Sequence, residues 1–229
     1  MFGLIKMFGV TKVFSGNIVA LRDIDLHIRK GEFVFLVGPT GSGKTTLMRL
    51  IYKDIVPTKG QVYVGGENLQ KLKNSHIPYF RRDIGVVFQD YKLIEDKTVF
   101  ENVAFVLEVI GVPKRECESR VMEVLDRVKV AHRRYLYPHQ LSGGEQQRVA
   151  IARAIVKQPS ILLSDEPTGN LDPKTAWDIM EIFRDINIQG TTVLIATHNK
   201  TIVDAMKKRV IALKNGSIVS DLEEGMYGF

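Results

Sequence analysis

The chain has 229 residues, 45% of them hydrophobic and 25% charged, so its composition is that of a globular domain and excludes a disordered or fibrous chain. A single cysteine, Cys117, excludes a disulfide framework and a cysteine-based metal cluster. Lysine and arginine (32) outnumber aspartate and glutamate (26), and the net charge of +6 suits a nucleotide, a nucleic acid or an acidic lipid surface without choosing among them. No apolar run approaches the roughly 20 residues of a spanning helix, and no secretory signal is recognisable.

The first third of the chain predicts short strands and turns. The continuous apolar run 33–37, ended by Gly38, is typical of a strand buried on both faces. A helix is predicted from residue 43 or 44 to about residue 54. Residues 62–64 precede two glycines and predict a hairpin, and residues 84–88 predict another strand.

Helical patterns dominate from residue 98 to about 156, and strands return afterwards. Residues 160–164 and 192–196 are buried-strand runs separated by a helix from about 174 to 188, and residues 210–219 predict a final hairpin. Strands alternating with helices predict an α/β fold whose parallel sheet carries helices on both faces. The acidic, glycine-containing tail from Asp221 onward is predicted to be loose.

A glycine-rich loop carries the strongest chemical signal. Residues 38–45 match the pattern G-x-x-x-x-G-K-S/T and lie between a predicted strand and a predicted helix, the context that the motif requires. Backbone N–H groups of such a loop point at phosphate, and the following helix adds its positive end. Lys44 can then bridge the β- and γ-phosphates of a nucleotide, and the hydroxyl of Thr45 can bind Mg²⁺.

Two carboxylates end the predicted strand at residues 161–165. Asp165 lies at the carboxyl end of that strand, beside the phosphate loop, and can reach Mg²⁺. Glu166 is one residue further and can orient or deprotonate a water molecule that attacks the γ-phosphate. The alternative is a solvated acidic turn, which the neighbouring phosphate loop disfavours.

A second anion-binding device is predicted at residues 141–147. Ser142 and Glu145 form a capping box, so a helix begins there, and two glycines keep its amino end free of bulk. From the residues alone, an ordinary well-capped helix is the favoured interpretation.

The sequence LSGGEQQ at residues 141–147 resembles the signature of ABC-type ATPases, the ATP-binding-cassette family, and the resemblance extends over nearly the whole chain. It implies an Mg²⁺-dependent ATPase with a RecA-like P-loop core, an N-terminal antiparallel β-subdomain and an inserted helical subdomain. The implied boundaries are 1–92 and 158–229 for the β-subdomain and core, and 93–157 for the helical subdomain.

The resemblance assigns roles residue by residue. Phe14, where the family more often has Tyr, would stack on adenine, and Val19 would flank the ribose. Gln89 would sense Mg²⁺ and a membrane partner, and His198 would contact the γ-phosphate. Catalysis would thus involve Glu166, His198, Lys44 and Gln89, and the metal would be held by Thr45, Gln89 and Asp165. The other nucleotide-binding residues would be Gly38, Pro39, Thr40, Gly41, Ser42, Gly43, Thr46, Ser142, Gly143, Gly144, Glu145 and Asp172.

The family mechanism implies that two copies of the chain close around two ATP molecules. Each phosphate loop would be covered by the helix that begins at Ser142 of the other copy. Residues 89–105 resemble the cell-division members of the family, which implies an integral membrane partner in a 2:2 complex, a peripheral place on the cytoplasmic face of the bacterial inner membrane and only indirect membrane contact. Residues 163–173 are shared with ATPases of lipoprotein-releasing and macrolide exporters, which are the alternative.

Other interpretations are weaker. Phe14 taken alone is a core residue, Gln89 a surface loop residue and His198 a helix cap. A DNA-acting ATPase is disfavoured because no coiled coil or zinc module separates the phosphate loop from the signature, and we expect no nucleic-acid partner. The basic cluster of Lys71, Lys73, Arg81 and Arg82 is either a solvated face, which is favoured, or a surface for anionic lipid.

Overall fold

Two β-sheets and seven helices make up residues 3–225 and 227, which the computed structural model describes. Across the first sheet the strand order is β2 (18–29), β1 (3–14), β4 (59–64) and β5 (67–68). Across the second it is β10 (217–222), β9 (209–214), β3 (33–37), β8 (192–196), β7 (161–165) and β6 (84–87). The second sheet is parallel except for β10, which pairs antiparallel with β9. This is the predicted α/β core with an N-terminal antiparallel sheet.

The antiparallel sheet is longer than the sequence predicted. Its strands are β1 (Gly3–Phe14), β2 (Ile18–Arg29), β4 (Lys59–Val64) and β5 (Glu67–Asn68). The expectation of short strands is wrong for β1 and β2, which have 12 residues each and are interrupted only by local register shifts. Polar residues on the exposed face alternate with the apolar residues that face the core, so the sequence has no continuous apolar run that would reveal the full length of these strands.

The parallel strands are short and apolar, as predicted. The strands of the second sheet are β3 (Phe33–Val37), β6 (Ile84–Val87), β7 (Ile161–Asp165), β8 (Thr192–Ala196), β9 (Arg209–Lys214) and β10 (Ser217–Leu222). The last two form the predicted final hairpin. A loose tail from Asp221 is wrong for the described residues, because β10 continues to Leu222 and the Gly225 N–H bonds the Lys208 carbonyl oxygen at 3.1 Å; residues 226, 228 and 229 lie outside the described part.

Seven helices connect these strands. They are α1 (Lys44–Ile51), α2 (Ile77–Arg82), α3 (Val99–Val109), α4 (Lys114–Arg127), α5 (Gly143–Ile155), α6 (Pro173–Ile188) and α7 (Lys200–Met206). The first ends three residues before the predicted residue 54 because the chain turns at Lys53, which has a φ of +56°. In the described residues, no helix is long and apolar enough to cross a membrane.

The second sheet separates two hydrophobic cores, and alternate side chains of β3 enter opposite ones. Phe33, Phe35 and Val37 pack into the core that also holds apolar residues of α3 to α6. Val34 and Leu36 pack into the core beneath α1 and the antiparallel sheet. Burial of both faces explains why β3 is a continuous apolar run, and it fixes the strand end from which the phosphate loop emerges.

Candidate nucleotide-binding site

The phosphate loop, residues 38–45, connects β3 to α1 at the carboxyl edge of the parallel strands. Two of its glycines have positive φ where a side chain would collide with backbone. A Cβ on Gly38 (φ +147°) would lie 2.2 Å from the carbonyl oxygen of Leu213. A Cβ on Gly43 (φ +108°) would lie 2.6 Å from the carbonyl oxygen of Ala20. The loop therefore needs glycine at both positions to keep its tight shape.

Two polar groups of the loop suit an incoming phosphate. The hydroxyl of Ser42 is buried and finds no hydrogen-bond partner among the residues that the structure describes. The ammonium group of Lys44 donates to the carbonyl oxygens of Gly38 at 2.7 Å and Pro39 at 3.2 Å. Lys44 is 8% exposed, so its charge is held inside the loop, within reach of any anion that the backbone N–H groups bind.

Thr45 and Asp165 meet beside the loop. The Thr45 hydroxyl donates to Oδ2 of Asp165 at 2.7 Å, which joins the start of α1 to the end of β7. Burial raises the pKa of Asp165 and the nearby Glu166 carboxylate adds to the rise, whereas the Thr45 hydrogen bond and Lys44 oppose it. A carboxylate and a hydroxyl are the oxygen donors that Mg²⁺ prefers, so Thr45 and half-buried Asp165 fit the metal that the family implies.

Glu166 and His198 form a second pair at the same edge. Nδ1 of His198 lies 2.9 Å from Oε1 of Glu166, and the His198 backbone N–H donates to Oε2 at 3.3 Å. Glu166 has a φ of +48°, a conformation that costs about 1–2 kcal/mol for a residue with a Cβ. Asn199, rather than His198, caps α7 by accepting from the Ile202 N–H, so the interpretation of His198 as a helix cap is wrong.

The two residues predicted to hold the nucleoside lie on either side of a tight turn. Phe14 ends β1, and Val19, 41% exposed, lies near the start of β2. The Phe14 ring is half-buried, packs in neither hydrophobic core and has the Lys12 ammonium 5.0 Å from its centroid, so the interpretation of Phe14 as a core residue is wrong. The contact between Ala20 and the Gly43 position brings this strand to the phosphate loop.

The signature helix begins as the capping box predicted. The Glu145 N–H donates to the Ser142 hydroxyl at 3.3 Å, and the Ser142 N–H donates to the Glu145 carboxylate at 2.9 Å. Burial opposes ionisation of Glu145, yet hydrogen bonds from Ser142 and Arg133 hold its pKa below the usual value. A Cβ on Gly144 would lie 2.5 Å from a methyl group of Thr175, so the start of α5 packs closely on α6.

Asp172 occupies the amino end of α6, where its carboxylate accepts from the N–H groups of Lys174 at 3.1 Å and Thr175 at 3.0 Å. The residues from Ser142 to Glu145 and Asp172 thus form one surface beside α6. Among residues 3–225 and 227, no hydrogen bond joins this surface to the phosphate loop of the same chain.

The segment around Gln89 is tied to the signature helix by a residue that the sequence did not single out. Gln89 is exposed and, in the described part of the chain, makes no hydrogen bond. Two residues later, the carbonyl oxygens of Tyr91 and Lys92 accept from the Arg153 guanidinium at 2.8 and 2.6 Å. The Tyr91 hydroxyl also lies 3.3 Å from the position of a Cβ on Gly143. The sequence did not reveal the role of Arg153, because its hydrogen-bond partners are backbone atoms about 60 residues away.

A model of the ABC transporter family matches residues 21–169 of this chain. The chain belongs to this family. The matched stretch contains the phosphate loop, the signature and the Asp165–Glu166 pair, and the predicted ABC-type fold is confirmed.

The relatives are similar over almost their whole length. The chain is 52% identical to the cell division ATP-binding protein FtsE of Bacillus subtilis, covering 98% of this chain and 99% of that protein. It is 50% identical to FtsE of Streptococcus pneumoniae, covering 99% and 98%. A solved dimeric ATP-binding cassette in a post-hydrolysis state, bound to ADP and phosphate, superposes with a TM-score of 0.87 at 37% identity, covering 98% of this chain and 100% of that one.

Proposed function

We propose that the chain is the Mg²⁺-dependent ATP-hydrolysing subunit of a membrane complex that acts in bacterial cell division, as an FtsE-type partner of an FtsX-like membrane protein. The observation that carries the proposal is the convergence of the phosphate loop, the Thr45–Asp165 pair and the Glu166–His198 pair at one edge of the sheet. The identity to two FtsE proteins supports the cellular role.

Each residue at this edge has a proposed task. The loop from Gly38 to Thr46 holds the phosphates, and Lys44 exchanges its two carbonyl contacts for β- and γ-phosphate oxygens. Thr45, Asp165 and Gln89 hold Mg²⁺, which neutralises phosphate charge when bound. The aromatic ring of Phe14 stacks on adenine, and Val19 flanks the ribose.

Glu166 is the proposed general base. Its carboxylate is already oriented by two contacts to His198, and Glu166 has a left-handed backbone conformation directly after β7. A water molecule beside Glu166 can lose its proton to the carboxylate as its oxygen bonds the γ-phosphorus. The bond from that phosphorus to the β–γ bridging oxygen breaks in the same step, so ADP is the leaving group. His198 is 67% exposed at its side chain, so it is placed to hold Glu166 and to contact the γ-phosphate.

We further propose that the active unit is a homodimer. No hydrogen bond within the described residues joins the surface from Ser142 to Glu145, with Asp172 beside it, to the phosphate loop of its own chain, so a second copy must bring it there. Its amino-terminal N–H groups would then bind the γ-phosphate of the partner's nucleotide. Hydrolysis removes the group that both chains grip, and the dimer reopens. In this scheme residues 93–157 form the helical subdomain, and 1–92 with 158–229 form the β-subdomain and core.

The membrane partner is proposed to dock beside Gln89. A groove of about 540 Å³ there is lined by Tyr52, Phe88, Val106, Arg153 and Lys157, among others, and Phe88 is 37% exposed. A short cytoplasmic helix of an FtsX-like protein in a 2:2 complex would fill it, which places the chain peripherally on the cytoplasmic face of the inner membrane.

A complementation experiment tests the shared site. Lys44→Ala disables the loop and Ser142→Arg disables the covering helix, and each variant alone should be inactive. In an equal mixture, half of the dimers are mixed and each holds one intact site, so we expect about a quarter of the wild-type phosphate release. Mixed dimers that form but release no phosphate would refute the proposal.

Glu166→Gln provides a second test of the same scheme. It should keep ATP binding, lose about 10²–10⁴-fold in turnover and accumulate dimers with ATP. A monomer at saturating ATP and Mg²⁺ would contradict dimer closure.

The division role is tested by exchanging partners. The chain is co-expressed with an FtsX-like membrane protein or, as a control, with the membrane subunit of a lipoprotein-releasing exporter. The proposal expects a stable complex and altered ATP turnover with the first protein only. A complex with the exporter subunit alone would favour the exporter function.

A further inference from the structure

The segment 71–82, which we call the basic segment, concentrates positive charge that the nucleotide site does not use. Its 12 residues include Lys71, Lys73, Arg81 and Arg82, and they include no aspartate or glutamate, although acidic residues are common in the rest of the chain. It runs from the end of the small antiparallel sheet through α2 to β6, and all four cationic side chains are exposed.

None of these four cations has an acidic partner within the described part of the chain. Arg81 donates to the carbonyl oxygens of Tyr52 and Lys53, both at 3.1 Å, and Arg82 lies over the Tyr79 ring at 4.8 Å. These partners are uncharged, so the four positive charges remain uncompensated.

Three carboxylates line the two cavities beside the basic segment: Asp54, Glu67 and Asp83. The two aspartates are engaged elsewhere. Asp83 accepts hydrogen bonds from the N–H and hydroxyl of Ser160, and Asp54 pairs with Arg49 at 2.6 Å. A cluster of four cations on a folded surface, with two of its three acidic neighbours already bonded to other groups, suits an extended anionic surface.

The basic segment also presents apolar and aromatic groups. Tyr79 is 62% exposed, and Leu72 and Ile77 are half-buried beside it. Tyrosine and short apolar side chains are favoured at the level of lipid headgroups, where a ring can be partly inserted and the cations stay among phosphates. An exposed Tyr79 ring does not stabilise a face that only contacts water. A nucleic acid would use the ring only by stacking a base on it.

The segment continues into the groove around Phe88, because Arg81 and Ile84 line that groove while Tyr79 and Ile84 line the adjoining cavity of about 480 Å³. The inference that the basic segment faces the bilayer rests on the proposed function, because it requires that the neighbouring groove binds a membrane protein. A partner in the groove brings the basic segment towards the same bilayer.

We propose that the basic segment binds the anionic phospholipid headgroups of the membrane directly, so that the chain is held by lipid as well as by its protein partner. Each lysine or arginine near an anionic surface contributes about 1 kcal/mol. Reversal of three of these charges should therefore weaken vesicle binding by about 100-fold or more. Arg81 is left unchanged because its bonds to two carbonyls support the fold.

The test is co-sedimentation of the full chain with vesicles of phosphatidylglycerol and phosphatidylcholine, or of phosphatidylcholine alone, at about 0.15 M salt. The test variant carries Lys71→Glu, Lys73→Glu and Arg82→Glu. The matched control carries Lys30→Glu, Lys114→Glu and Lys214→Glu at exposed positions elsewhere. Each variant changes the net charge from +6 to 0, so only the position of the charges differs. ATP affinity should be unchanged in both, which checks folding.

The proposal expects the wild type and the control to sediment with the anionic vesicles, the test variant to lose about 100-fold in affinity, and none to bind phosphatidylcholine. Equal losses in both variants would overturn it, because net charge alone would then explain binding. A wild type that ignores the vesicles overturns it as well, as does one that instead binds duplex DNA through the basic segment. The vesicles contain no protein, so a chain that fails here yet still forms the FtsX-like complex refutes this inference alone.

Discussion

Replacement of Arg153 by methionine should release the segment 89–92 without unfolding the chain. Methionine keeps the apolar stem but removes the guanidinium that bonds the carbonyl oxygens of Tyr91 and Lys92. Two hydrogen bonds from a charged donor contribute about 3–6 kcal/mol. Tyr91 and Lys92 have φ values of +57° and +50°, whose strain of about 2–4 kcal/mol in total is relieved when the segment relaxes. Taken at the middle of both ranges, the net loss in unfolding free energy is about 1.5 kcal/mol.

Hydrogen exchange measures the local effect. The amides of Tyr91 and Lys92 bond the carbonyl oxygens of Phe88 and Asp90, and both should exchange about tenfold faster in Arg153→Met. ATP turnover should also fall, because the Tyr91 hydroxyl lies beside Gly143 at the start of the signature helix.

Lys157→Met is the matched control. Its ammonium group lines the same groove but bonds the carbonyl oxygens of Arg81 and Ile84, outside the segment 89–92. It should leave the exchange of Tyr91 and Lys92 unchanged. Unchanged exchange in Arg153→Met, or equal acceleration in both variants, would refute the reasoning.

Three further predictions address the loop and the groove. Lys44→Ala should raise the dissociation constant for ATP at least about tenfold in an equilibrium titration, because a charged hydrogen bond contributes about 1.5–3 kcal/mol; unchanged affinity would remove Lys44 from the site. Gly43→Ala should lower the unfolding free energy by about 2–5 kcal/mol, because it adds backbone strain and a collision with Ala20. Gly111→Ala is the control, because Gly111 has a φ of +85° but nothing within 4 Å, and it should lower the unfolding free energy by only about 1–2 kcal/mol. Equal losses in denaturant titration would contradict the collision. Burial lowers the pKa of Lys157 to about 8 from its ordinary value of 10.5, so between these pH values the unfolded chain binds more protons than the folded chain. The unfolding free energy of the wild type relative to Lys157→Met should therefore rise as the pH increases from 8 to 10.5. A difference that stays constant over this range in denaturant titrations would contradict the prediction.

The sequence predicted the elements whose signals are local. The runs that form β3, β7 and β8 are apolar because both faces are buried, and the capping box at Ser142 needs only residues within one helical turn. The phosphate loop was recognisable because glycine is required where a Cβ would strike backbone.

What the sequence could not predict depends on residues that are distant in the chain. The length of β1 and β2 is set by pairing along the whole hairpin. The polar residues of the exposed face interrupt the apolar pattern, so this length cannot be recognised in the sequence. Arg153 contacts backbone oxygens, which carry no residue-specific signal. The Glu166–His198 pair joins the ends of two neighbouring strands 32 residues apart, so its geometry follows only from the sheet order.

The contact of the phosphate loop with residues 213–216 has a consequence for biosynthesis. The loop lies against the backbone of Leu213, and the Gly216 N–H donates to the Ser42 carbonyl oxygen at 3.1 Å. Both strands that flank β3 in the sheet, β8 and β9, are also translated late. A nascent chain on the ribosome therefore exposes the apolar β3 until residues 192–214, which form β8 and β9, have been added. The nucleotide site is therefore complete only after β9 has been synthesised, so nucleotide binding cannot stabilise the fold earlier. Until then, the apolar β3 is available to chaperones that bind exposed apolar segments.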